Sequence, residues 1–304
     1  MSDVIVNVNG LVKRYGKKTA VDHVSFEVRK GEVFGLLGPN GAGKTTTLEC
    51  IEGLRVFDAG SICVAGIDVR QDEQAVRKLL GVQLQMSSLP GNIRAAEAMA
   101  MVCAWHGLPV RLDLLNRFGI GDDPKKQYAQ MSTGQKRRLQ LALAVAVEPA
   151  VVILDEPTAG LDVEGRVQLH SIIRELKEKG MTFIMATHDM AEAETMCDRL
   201  AIIIRGSMAA MGTPAQVTAA GRQETKIRIQ TVKSTLTGGE TQFARYIGET
   251  EGYATWMTKQ ISGAVSELLR AIEDNGDSVT DMRVERPSLE ERFMEIVETE
   301  AKLV

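Results

Sequence analysis

At 304 residues, 44% of them hydrophobic and 25% charged, the chain can bury a large core and exceeds the usual size of one domain. A net charge of -4 argues against nucleic acid as the main partner and for small molecules or other proteins. Cys50, Cys63, Cys103 and Cys197 are scattered with no C-x-x-C, so they point to neither a disulfide framework nor a zinc site, and to a reducing cytosol. The most apolar stretch, Leu139 to Leu154, is interrupted by Gln140, Glu148 and Pro149, and no basic-then-apolar signal opens the sequence, so no membrane span is expected.

The runs Val4 to Val8 and Ala20 to Val28 alternate apolar and polar residues, the pattern of half-buried antiparallel strands. Val33 to Leu37 is wholly apolar and reads as a buried strand. It delivers Gly38-Pro39-Asn40-Gly41-Ala42-Gly43-Lys44-Thr45, which fits the phosphate-loop pattern G-x-x-x-x-G-K-[ST] and runs through Thr46 into a helix-like stretch. Glycines let such a loop turn successive N–H groups inward, and the following helix aims its positive end at the same point, which makes a cradle for phosphates. Lys44 is expected to reach the β- and γ-phosphates of a nucleotide, and the Thr45 hydroxyl to ligate Mg²⁺.

Between Ser87 and Met131 the pattern turns helical, in Ile93 to His106 and Leu112 to Phe118, broken by Pro90, Pro109 and Pro124; this predicts a small helical subdomain. Met131-Ser132-Thr133-Gly134-Gln135 then opens a helical run over Lys136 to Val147. Ser132 and Gln135 form a capping box, and a helix start with a free hydroxyl and the Gly134 amide is also an anion receptor. Val151 to Leu154 is a second buried strand, ending in Asp155-Glu156. In open parallel sheets the ligand sits beyond the carboxyl ends of strands, where Asp155 can hold Mg²⁺ through its water shell and Glu156 can accept a proton from an attacking water. With Thr182 to Ala186, these runs interleave with helices and predict an α/β core, a parallel sheet covered on both faces. Arg199 to Met211 reads as a hairpin turning at Arg205-Gly206.

Residues 214–224 read as a linker, which separates a first domain over 1–213 from a second over 225–304. In the second, Ile227 and Ile229 alternate, and so do Met282 and Val284. Ile261, Val265, Leu268, Leu269 and Ile272 share one helical face, and Ser288 with Glu291 forms a capping box at the start of a last helix. The expectation is a compact α+β unit.

Taken together, the phosphate loop, the Met131 to Gln135 segment and the Asp155-Glu156 strand end resemble the nucleotide-binding domain of ATP-binding cassette (ABC) transporters over residues 4–213. The family's signature is usually Leu-Ser-Gly-Gly-Gln; here Met131 replaces the leucine and Thr133 a glycine, which adds a Cβ and a hydroxyl where phosphate approaches. The resemblance implies a P-loop NTPase of ABC type with a parallel core sheet, an antiparallel β subdomain and a helical subdomain. It also implies a homodimer with two ATP molecules at the interface, Ser132, Gly134 and Gln135 of one chain facing the γ-phosphate held by the other.

By the same resemblance Tyr15 would stack on adenine, whereas a lone tyrosine near a strand is otherwise a core or rim residue. Gln85 would touch Mg²⁺ or the attacking water, with Gln83 as its rival. Asp162 in Ala159-Gly160-Leu161-Asp162 would belong to the loop between the two sites, or simply cap a helix. His188 would bond the γ-phosphate and orient Glu156. Lys136-Arg137-Arg138 reads as a solvated helix face, and His23, His106 and His170 lack metal-ligand spacing.

Pro287-Ser288-Leu289-Glu290-Glu291-Arg292-Phe293 resembles the tail of exporter ATPases of the daunorubicin-resistance type. The implied role is an ATP-hydrolysing exporter subunit, cytoplasmic and peripheral on the inner face of the membrane through separately encoded permease subunits. The competing role, a soluble ABC ATPase acting on ribosomes or DNA, usually comes with two fused cassettes or a long coiled coil, and neither is present in the sequence.

Overall fold

The structure, a computed structural model, describes residues 3–84, 89–123, 125–221, 224–236, 238, 241–285 and 287–302. Gln85, Ser87 and Pro124 lie outside the described residues, as do Arg222 and Gln223 of the expected linker. The chain divides into two compact units, Met1–Pro214 and Ala215–Val304.

In the first unit, β1 (Val4–Tyr15) and β2 (Lys18–Arg29) pair antiparallel, each longer than the alternating run that predicted it. β3 (Val33–Leu37) is buried at every position and leads into α1 (Lys44–Ile51). Among the described residues β4 (Ala59–Val64) and β5 (Ile67–Asp68) complete a four-stranded antiparallel sheet in the order β2-β1-β4-β5. α2 (Glu73–Lys78) precedes β6 (Leu80–Gln83). The helical region follows with α3 (Ala95–Trp105), α4 (Leu112–Arg117) and a 3₁₀ turn at Tyr128–Gln130, and α5 (Thr133–Val145) comes after it. β7 (Val151–Asp155), α6 (Val163–Glu178), β8 (Phe183–Thr187), α7 (Met190–Met196), β9 (Arg199–Ile204) and β10 (Ser207–Gly212) close the unit.

Among the described residues the second sheet has six strands in the order β10-β9-β3-β8-β7-β6. All neighbours run parallel except β10, the antiparallel edge that turns back at Arg205-Gly206 as expected. The central strands β3, β7 and β8 carry no exposed position, as a sheet packed on both faces requires. Apolar side chains of both sheets merge in one core, where the rings of Phe26 on β2 and Phe34 on β3 stack with centroids 5.0 Å apart.

The register fixes what lies beyond the strand ends. Leu37 pairs with Thr187, and Asp155 with Ala186. The residues that follow, Gly38, His188 and Glu156, therefore emerge together along one edge of the sheet, where a ligand crevice forms in folds of this kind.

α8 (Pro214–Ala219) begins at the last residue of the first unit, so residues expected as linker are partly helical, and Pro214 stands first in the helix, where its missing N–H costs nothing. β11 (Thr225–Thr231), β12 (Ala244–Thr250), β13 (Tyr253–Thr258) and β14 (Val279–Glu285) form an antiparallel sheet in the order β12-β13-β11-β14. α9 (Ile261–Asp274) packs Ala264, Leu268 and Ile272 into the core with Ile227, Ile229 and Trp256. α10 (Leu289–Lys302) starts with the predicted reciprocal cap, in which the Glu291 N–H donates to Ser288 Oγ at 3.1 Å and the Ser288 N–H to Glu291 Oε2 at 3.3 Å.

Candidate active site

The phosphate loop is shaped by close backbone approach. A Cβ at Gly38 would stand 2.2 Å from the Ile203 carbonyl oxygen, and one at Gly43 2.4 Å from that of Ala20. Gly43 also has φ +108 and forms the N-terminal cap of α1. Lys44, first in that helix, is buried; its Nζ donates to the carbonyls of Gly38 at 2.7 Å and Pro39 at 3.2 Å and lies 3.7 Å from Glu156 Oε1. Burial lowers the Lys44 pKa, while the carboxylates of Glu156 and Asp155 act to raise it.

Asp155 ends β7 with its side chain buried, and Oδ2 accepts a 3.0 Å bond from the Thr45 hydroxyl. Its other oxygen, Oδ1, has no hydrogen-bond partner among the described residues. Burial pushes the Asp155 carboxyl above the usual range, against the Thr45 bond and the Lys44 charge. A hydroxyl beside a carboxylate with an unused lone pair is a hard-oxygen donor set, which fits Mg²⁺.

Glu156 is 6% exposed and has φ +51, a left-handed conformation that is strained in a residue with a Cβ. Its N–H donates to the Ala186 carbonyl at 2.9 Å, which ties the strained turn to β8. Oε2 lies 2.8 Å from Nδ1 of His188, so with the carboxylate ionised Nδ1 carries the proton. Glu156 thus joins Lys44 on one side to His188 on the other, and His188 is more than half exposed while Glu156 is not.

A cavity of about 410 Å³ runs over this loop, lined by Tyr15, Asn40, Gly41, Ala42, Thr46 and Glu156 among others. Lys44 and Thr45 also line it, as do Lys18 and Ala20, which the sequence pattern did not single out. Tyr15 is 43% exposed at its rim, with Lys13 Nζ 5.0 Å from the ring centroid. Ser132, Gly134 and Gln135 lie elsewhere on the unit. They line a separate cavity of about 650 Å³ with Gly160, Leu161 and Asp162.

Ser132 and Gln135 make the expected capping box at α5, and Asp162 caps α6 by accepting the Gly165 N–H at 2.8 Å. Gln83, the rival to Gln85, is buried in β6 with neither amide atom partnered among the described residues.

Lys136-Arg137-Arg138 corrects one expectation, because it is no solvated face. Arg137 is buried and donates to the Leu84 carbonyl, Arg138 bonds Gln168, and Lys136 sits over the Tyr128 ring. Long basic side chains lie along apolar helix surfaces by their stems, which a charge run in sequence does not reveal.

The family model for ABC transporters matches residues 21–159. Over 311 residues the chain is 32% identical to a daunorubicin resistance ATP-binding protein of Streptomyces coeruleorubidus, covering 97% of this chain and 96% of that one. It is 30% identical to a linearmycin resistance ATP-binding protein of Bacillus subtilis over 309 residues, 96% of this chain and 98% of that one. A solved structure described as the ATP-binding subunit of an ABC transporter matches at a TM-score of 0.65 and 28% identity, over 71% of this chain and 92% of that one. The chain belongs to the ABC transporter family, as an ATP-binding subunit.

Proposed function

We propose that this chain hydrolyses ATP in a Mg²⁺-dependent reaction that powers an exporter of the drug-resistance group. The observation that carries the reading is the line from buried Lys44 and Glu156 to the exposed His188 at the strand ends, with the Thr45 and Asp155 oxygens beside it. In this reading the loop from Gly38 to Thr46 binds the β- and γ-phosphates through backbone N–H groups and Lys44. Thr45 and Asp155 hold Mg²⁺, and Mg²⁺ when bound neutralises charge on the phosphate oxygens. Glu156 takes a proton from the attacking water at its carboxylate. His188 orients that carboxylate through Nδ1 and meets the γ-phosphate. Tyr15 offers its exposed ring to adenine, and Gln85 is assigned to the metal or the water from its sequence position.

The signature cavity and the phosphate cavity share no lining residue, so one chain offers two unlike half-sites. This supports a head-to-tail homodimer with ATP between Lys44 of one copy and Ser132, Gly134 and Gln135 of the other, the loop ending at Asp162 lying between the two sites. Docking on separate permease subunits at the inner, cytoplasmic face is part of the same reading; no described helix is long and apolar enough to cross a membrane. Residues 1–213 form the ATPase domain, 214–224 join it to an accessory domain over 225–304, and no nucleic-acid partner is assigned. Export is our inference from the similarity, over nearly the whole chain, to the ATP-binding proteins of daunorubicin and linearmycin resistance.

Glu156→Gln tests the core of the reading. The variant keeps the shape of the acid and loses the proton acceptor, so it should bind ATP normally and turn over about 10² to 10⁴ times more slowly. Near-normal phosphate release by the purified variant would reject the role of Glu156.

A further inference from the structure

His170, without metal spacing in the sequence, is buried at 8% exposure on α6. Its Nε2 lies 2.9 Å from Oε1 of Glu192, a carboxylate 2% exposed in the first turn of α7. The other oxygen of Glu192 accepts the Thr187 hydroxyl at 2.7 Å. Thr187 Oγ1 in turn accepts the Asp189 N–H at 3.0 Å, and Asp189 Oδ1 accepts the Glu192 N–H at 3.0 Å. These bonds close a ring around the peptide units on both sides of His188.

α6 grips this ring at a second point, since Arg166 donates to Asp189 Oδ2 at 2.7 Å. Arg166 and His170 are four residues apart and so share a helix face. A buried carboxyl group holds its place only if hydrogen-bond partners meet both oxygens, and His170 supplies one of the two side-chain partners here.

We infer that His170 and Glu192 are positioning residues for the ATPase reaction, holding the turn that carries His188 so that its ring meets Glu156 in one geometry. The inference rests on the proposed role of His188. A misplacement of about 1 Å at a reacting group can cost on the order of 100-fold in rate, so a lost anchor behind His188 is felt in turnover rather than in nucleotide affinity.

The test is a double-mutant cycle on the full-length chain, reading kcat, KM for Mg-ATP and thermal midpoint. His170→Phe keeps a ring of similar size and removes the donor; kcat should fall roughly 10- to 100-fold with KM within about threefold. His170→Gln, whose amide can donate to the same oxygen, should recover most of the loss. In a His188→Ala background, His170→Phe should change kcat by less than about twofold, because the group it positions is gone.

Wild-type kcat in a folded His170→Phe variant, or an equal loss in both backgrounds, overturns the inference alone. Wild-type turnover in His188→Ala overturns the role of His188 and this inference with it. If His170→Phe does not fold, Thr187→Val breaks the ring from the β8 side, with the same outcomes read the same way.

Discussion

Glu52 caps the C-terminal end of α1 with its carboxylate 2% exposed and neither oxygen hydrogen-bonded among the described residues. Burial, with the nearby charges of Asp155 and Glu49, raises its pKa from 4.5 to about 7. A raised carboxyl pKa means the folded state holds a proton that the unfolded chain has released. The contribution of Glu52 to stability is therefore full below about pH 4.5 and is lost as pH rises through about 7.

Glu52→Gln keeps the shape of the neutral acid without the ionisation cost. It should match the wild type below pH 4.5 and exceed it at pH 8 by on the order of 3 kcal/mol. Denaturant unfolding of both proteins across that range checks this, and a pH-independent difference would contradict it.

The partners of site residues divide by how the sequence displays them. Lys44, Thr45, Asp155 and Glu156 were legible because a loop pattern and a strand end have fixed spacing. Lys18, Glu52 and the anchors His170 and Glu192 were not, because what matters about them is which buried atoms they meet across the fold.

At the scale of elements, the core strands of the first unit were readable because buried parallel strands are continuous apolar runs. The β12 to β13 hairpin was not. Its turn is Glu251-Gly252, between the paired Thr250 and Tyr253, with φ +55 and +79. A two-residue turn with both φ positive favours Asn-Gly or Asp-Gly, and glutamate there conceals the signal.

Gly248 adds a register shift within β12 that blurs its alternation. Glu251→Asn should relieve strain in the turn and stabilise the second unit by about 0.5 kcal/mol or more, read as a higher unfolding midpoint. The ion pair it removes, 3.6 Å from Arg228 with Glu251 79% exposed, contributes little. An unchanged or lower midpoint would show that the turn is not strained.

For the whole molecule, the separation of the two cavities makes the proposed assembly the property to test. With Glu156→Gln blocking turnover, Mg-ATP should shift the purified chain from monomer to dimer in light scattering, and EDTA should reverse the shift. A chain that stays monomeric at saturating Mg-ATP and still hydrolyses ATP at full rate in the wild type would reject the shared-site model.

By itself the sequence determined the phosphate loop, the acidic strand end, the α/β class and the family resemblance, because these rest on local spacing and on strand and helix periodicity. Only the tertiary structure decided that Glu156 stands strained between Lys44 and His188, that Arg137 is buried, and that a ring of bonds from α6 and α7 holds the His188 turn. Those relations join residues tens of positions apart in the chain. Strand register and helix packing bring them within hydrogen-bond distance, and no local pattern encodes that.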